Sequence, residues 1–139
     1  MTERSDLPDM LSKLRLFEYC TPLTCEIVAN HLQLMTFAAG DKLLAAGEQG
    51  DTMLIILDGT VEISQQGLMV REMSAGDTVG ELAVFSPAPR SADVVAVTEV
   101  EVAELTAGGL RIVLSNSVAV AEELLAALAE RVRELSPGT

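Results

Sequence analysis

Gly76-Asp77-Thr78-Val79-Gly80-Glu81-Leu82-Ala83-Val84-Phe85-Ser86-Pro87-Ala88-Pro89-Arg90-Ser91-Ala92 is the stretch on which the reading of this chain turns. Gly80 permits a close approach of backbone to something else. Glu81 to Phe85 predicts a short helix of one or two turns, whose first amides lack an intrahelical partner and favour an anion. Pro87 and Pro89 stop that turn and stiffen the chain beyond it. Arg90 then follows on a defined path, with a planar fork suited to two phosphate oxygens. Ser91 adds a hydroxyl and an amide. Glu81, nine residues before Arg90, can accept from a diol or pair with the guanidinium.

Around this stretch the pattern is that of short strands. Apolar or alternating runs at 35–37, 42–45, 53–57, 60–65, 68–73, 78–79, 93–97 and 100–105 are separated by turn residues. The turns are Ala39-Gly40-Asp41, residues 47–51, Asp58-Gly59 and Ala75-Gly76-Asp77. Asp58-Gly59 predicts a tight hairpin. Eight such strands argue for a closed or double-layered antiparallel roll. The Gly-Asp pairs lie at separate turns without EF-hand spacing and read as turns, not calcium ligands.

Helical periodicity brackets the strands. Asp6-Leu7-Pro8 starts one helix, with Leu7, Met10, Leu11, Leu14 and Phe17 on a stripe. Thr21-Pro22 starts a second, expected to run to about Leu34. After Ala107-Gly108-Gly109 come a short helix over 110–114 and a long one from Val118 to about Leu135. Ala121, Leu124, Leu125, Leu128, Val132 and Leu135 form its apolar face, and Ser136-Pro137-Gly138 ends it.

Composition excludes several functions. A hydrophobic share of 49% places the chain among globular proteins. The longest apolar run, 124–129, is far short of the ~20 residues a membrane span needs. No basic-then-apolar leader opens the sequence, so secretion is not expected. A net charge of -12 sets the surface against nucleic acid polymers and anionic lipid. A small anion with a single charge is a different case, because distant carboxylates are screened over about 8 Å. One adjacent arginine at ~4 Å contributes on the order of 4 kcal/mol before desolvation. Cys20 and Cys25 lack C-x-x-C spacing, and Cys25 shares a helical stripe with Val28, Ala29 and Leu32, which suits packing in a reduced, cytoplasmic setting. His31, the single histidine, falls off that stripe and reads as a surface residue. Neither a nucleophile–base set nor a metal-ligand cluster nor a Walker-type loop is present, so no catalytic residue, metal or cofactor is expected.

Gly80-Glu81-Leu82-Ala83 followed by Pro89-Arg90-Ser91-Ala92 resembles the phosphate-binding cassette of the cyclic nucleotide-binding domain family. Leu16-Phe17, Phe37-Ala38-Ala39-Gly40-Asp41, Gly47-Glu48-Gln49-Gly50-Asp51, Ile55-Ile56-Leu57-Asp58-Gly59 and Gly76-Asp77 are similar to that family's landmarks, in its order. The resemblance spans roughly residues 14 to 135. It implies one domain over 1–139, mainly β with flanking α: an antiparallel, jelly-roll-like β-roll over about 35–105, with N-terminal helices over about 7–34. A short cassette helix lies within 80–92, and the C-terminal helices cover about 109–135. It implies a ligand, cAMP before cGMP, with Arg90, Ser91, Gly80 and the Leu82 and Ala83 amides at the phosphate and Glu81 at the ribose. Ile63, Val70, Ala92, Val132 and Leu135 would lie at the base. Ala92 stands where cGMP-selective relatives tend to carry Thr. No aromatic residue follows Phe85, so any lid over the base is aliphatic or supplied by another chain. The family's bacterial activators continue into a helix-turn-helix, which these 139 residues do not contain, so DNA reading by this chain alone is not expected. The implied function is a non-catalytic sensor that relays occupancy through its C-terminal helix to a second copy or an effector. The alternative is an interaction module of the same fold that has lost its ligand.

Overall fold

A computed structural model describes residues 2–135 of the chain. It divides into two compact units: a β unit, 32–110, and a helical unit formed by the residues before and after it.

The β unit holds ten strands: β1 (Gln33–Phe37), β2 (Lys42–Leu44), β3 (Gln49–Gly50), β4 (Thr52–Asp58), β5 (Thr60–Gln65), β6 (Leu68–Ser74), β7 (Thr78–Val79), β8 (Ala88–Pro89), β9 (Asp93–Ala96) and β10 (Val100–Thr106). They form two four-stranded sheets, ordered β1-β10-β4-β7 and β2-β9-β5-β6, and a two-stranded ladder, β3-β8. Every pairing is antiparallel. Alternation explains the core: Leu54 and Ile56 of β4, Val61 of β5, Val94 and Ala96 of β9, and Val100 and Val102 of β10 pack together. Each such aliphatic side chain contributes about 1.5–3 kcal/mol on burial.

The antiparallel roll with helices before and after it is the expected architecture. Three local expectations change. β3 and β8 carry no strand pattern, being two residues each and rich in Gly and Pro; what pairs them is the ladder itself, Gln49 opposite Pro89 and Gly50 opposite Ala88. Asp58-Gly59 is not a hairpin, because β4 pairs with β10 and β7 while β5 pairs with β6 and β9. There the chain passes from one sheet to the other. The hairpin turn is Gln66-Gly67, both at positive φ, 53° and 81°. Finally, residues 81–85 form successive hydrogen-bonded turns, not a regular helix: Phe85 N–H donates to Leu82 O (3.1 Å) and Ser86 N–H to the same oxygen (2.9 Å).

In the helical unit, α1 (Leu7–Ser12) and α2 (Pro22–Ala29) each carry a proline in the first turn. Thr21 caps α2 by accepting from Thr24 N–H. α2 stops at Ala29, five residues short of the expected Leu34, and 33–37 is β1. Val28 and Ala29 complete the buried stripe; Gln33 and Leu34 take part in pairing with Glu104 and Ala103. α3 (Ala107–Asn116) begins within the β unit, and α4 (Val118–Leu135) is the longest helix among the described residues. The expected single apolar face of α4 is two faces. Val120, Leu124 and Ala127 are buried, whereas Val118, Leu125, Val132 and Leu135 are exposed. The stop at residues 136–138 lies outside the described residues.

Candidate ligand-binding site

The β3-β8 ladder determines where Arg90 stands. Beyond the Gln49–Pro89 pair, Arg90 N–H donates to Glu48 O (2.8 Å) and Gly47 N–H to Arg90 O (2.9 Å). The arginine backbone is thus clasped on both its polar groups. Its side chain is half-buried and fixed at the tip: Nη2 donates to Thr52 O (3.0 Å) and to Thr52 Oγ1 (2.9 Å) at the start of β4.

Two glycines make room for it. A Cβ at Gly50 would stand 2.2 Å from Arg90 Nε, and one at Gly80 would stand 2.4 Å from Nη1. Gly80 also has φ +76°, in the left-handed region that favours glycine. The close approach expected at Gly80 is therefore an approach to the arginine.

Arg90 lines a cavity of about 450 Å³, within the size range of small-molecule sites. Leu44, Ile63, Met73, Val79 and Val94 give it an apolar wall from five strands. Gly80, Glu81, Leu82 and Ala83 with Arg90, Ser91 and Ala92 form its rim, where Glu81, Arg90 and Ser91 bring polar side chains. Eight of the residues expected at a ligand thus share one concavity: Gly80, Glu81, Leu82, Ala83, Arg90, Ser91, Ala92 and Ile63.

The remaining three are not among the residues that line it. Val70 does not line the cavity and is exposed, as are Leu68, Met69, Arg71 and Glu72 around it on β6; it falls at the register shift between β5 and β6 and stands opposite no residue. Val132 and Leu135 are exposed on α4, in the helical unit. The amide of Ala83 already donates to Gly80 O (3.0 Å), so an anion there would share that donor. Ser91 is exposed, and its carbonyl accepts from Gln65 Nε2 (3.4 Å).

Sequence reasoning missed Leu44, Met73, Val79 and Val94 of the wall, each in an expected strand, and Thr52, which only the tertiary fold brings to Arg90. Asp93 follows the rim. Ala46 N–H (2.8 Å) holds its carboxyl below the usual carboxylate range, with Lys42 at 3.6 Å adding to the effect. Among the described residues no group of three or more His, Cys, Asp or Glu could hold a metal ion. No described helix is long and apolar enough to cross a membrane.

The profile of the cyclic nucleotide-binding domain family matches residues 34–117. The chain is 30% identical over 132 residues to the CRP-like cAMP-activated global transcriptional regulator of Mycobacterium tuberculosis, covering 91% of this chain and 59% of that protein. It is 38% identical over 72 residues to the cAMP-dependent protein kinase regulatory subunit of Yarrowia lipolytica, covering 52% of this chain and 19% of that one. The chain therefore spans less than two thirds of either relative. Among solved structures it is similar to the N-terminal domain of a transcriptional regulator from Streptomyces coelicolor A3(2), with a TM-score of 0.85, 31% identity and coverage of 92% and 93%.

Proposed function

Because the chain belongs to the cyclic nucleotide-binding domain family, we propose that it binds one cyclic nucleotide, cAMP before cGMP, beside Arg90, and relays occupancy through α4 without doing chemistry. The observation that carries this is a single one: an arginine pinned at the rim of an apolar cavity in a chain of net charge -12. The cation supplies a local attraction for a phosphodiester that the overall charge does not. Ser91 and the turn amides at Leu82 and Ala83 would complete the phosphate contacts, and Glu81 would accept from the ribose 2′-hydroxyl. The base would lie on Ile63 and its aliphatic neighbours, with Ala92 offering no hydroxyl to a guanine amino group. Val132 and Leu135, or a second chain, would cover it. The setting is the cytoplasm, where two free thiols stay reduced.

The exposed face of α4 supports a second copy as the partner. Val118, Leu125 and Val132 recur every seven residues, and Ala121, Leu128 and Leu135 interleave with them. Two of the three residues in the first series are valine and two of the three in the second are leucine, which approaches the valine-with-leucine pattern of a parallel two-stranded coil.

Thermal unfolding with millimolar nucleotide tests the ligand. A ligand at 100 times its Kd stabilises the native state by about 2.7 kcal/mol. The midpoint should rise by several degrees with cAMP and by less with cGMP. No rise with either would overturn this reading in favour of an interaction module without a ligand.

A further inference from the structure

We infer that Thr52 is the positioning residue for nucleotide binding, holding the Arg90 guanidinium in its binding pose before any ligand arrives. Arginine is long and flexible, and fixing it costs rotamer entropy. Here that ordering is already in place. One nitrogen, Nη2, donates to both oxygens of a single residue, the carbonyl and the hydroxyl of Thr52. Thr52 is the first residue of β4, and its branched Cβ restricts χ1, so the hydroxyl oxygen has a stiff mount. Gly50 and Gly80 leave a slot into which the guanidinium fits, with Nε toward one and Nη1 toward the other.

The layout distinguishes a support from a competitor. Gly80, the neighbour of Nη1, lines the cavity, whereas Thr52 and Gly50 do not. Nη2 is thus committed to β4, and Nη1 stands beside Gly80, a residue of the cavity lining. The fork is divided: one prong is anchored in the protein, and the other would be left for the ligand. Lysine could not reproduce this, since a single ammonium nitrogen has no second prong.

This inference rests on the nucleotide-binding reading above, and its test separates the two. Affinity for cAMP is measured by calorimetry for the parent, Thr52→Val, Thr52→Ser, Arg90→Lys and the Thr52→Val/Arg90→Lys double variant. Thr52→Val keeps the shape and removes the hydroxyl; Thr52→Ser restores it. Thr52→Val should weaken binding roughly three- to tenfold, the worth of one hydrogen bond. Thr52→Ser should stay near the parent, and Thr52→Val should have no further effect beside Arg90→Lys. Equal affinity of parent and Thr52→Val, or tighter binding by Thr52→Val, would overturn the positioning role while leaving nucleotide binding in place.

A second measurement needs no ligand. In ¹⁵N spectra of the nucleotide-free protein, the Arg90 Nη protons should be resolved in the parent and Thr52→Ser and averaged in Thr52→Val. Averaged signals in the parent would refute the contact. If the parent bound no nucleotide, the reading above would fall, and the positioning role in binding with it; these spectra would still decide whether Thr52 holds the side chain. Thr52→Ala takes the place of Thr52→Val if valine unfolds the chain.

Discussion

At Gly50 an added Cβ would meet Arg90 at three side-chain atoms, 2.2 Å from Nε, 2.5 Å from Cζ and 2.6 Å from Cδ. All three belong to a flexible side chain, so alanine there can be accommodated by moving the arginine. Gly50→Ala is therefore expected to leave the thermal midpoint within a few degrees of the parent and to weaken cAMP binding roughly tenfold or more, by displacing the cation. A calorimetric affinity equal to the parent's would show that the slot is not needed. At Gly80 the obstacles include backbone, with Thr52 O at 2.8 Å, and φ is +76°, so substitution there would disturb fold and site together. The chemistry of Arg90 is legible from residue type and the flanking prolines. What holds its tip is not, since Thr52 lies 38 residues away and carries no signal until β4 and the β3-β8 ladder meet.

Among elements, α2 and α4 show how a charge can tie two helices. Glu123 of α4 accepts from Thr21 N–H (2.9 Å) and from the Thr24 hydroxyl at the start of α2. Those bonds, that of Thr24 first, hold its carboxyl below the usual carboxylate range against a smaller opposing effect of burial. A folded-state value below the unfolded one means that this stabilisation is complete above the ordinary carboxylate pKa. It is lost as pH falls through the depressed value. Thermal melts between pH 7 and about pH 3 should show a steeper acid loss in the parent than in Glu123→Gln, which cannot titrate. Parallel curves would contradict the role. Burial first, then the same carboxylate and Cys25, push the Cys20 thiol up to about 11, which makes it a poor nucleophile at neutral pH. The start of α2 was legible because Thr21-Pro22 is a cap followed by a first-turn proline. Its end was not, because Leu32 and Leu34 continue an apolar pattern that β1 uses at a different period. Asp58-Gly59 misled for a related reason: a turn signal says that the chain bends and not which strands it joins.

For the whole molecule, charge and partner are the open dimensions. Acidic overall charge and one sheltered arginine coexist because screening makes attraction local. The expected roll was legible from strand count and turn spacing, which carry long-range information only through burial. The two faces of α4 were not, since leucines at neighbouring positions look alike until one set is buried. If the exposed heptad joins two copies, light scattering should give twice the monomer mass for the parent and the monomer mass for Leu125→Glu, which would put a charge in the seam. A monomeric parent would sink that proposal and leave the ligand site untouched. The ligand site itself is tested most directly by titrating cAMP into the parent and into Arg90→Lys. One binding event per chain is expected in the parent, and an affinity lower by roughly tenfold to a hundredfold in the variant. Equal affinity for the two proteins would contradict it.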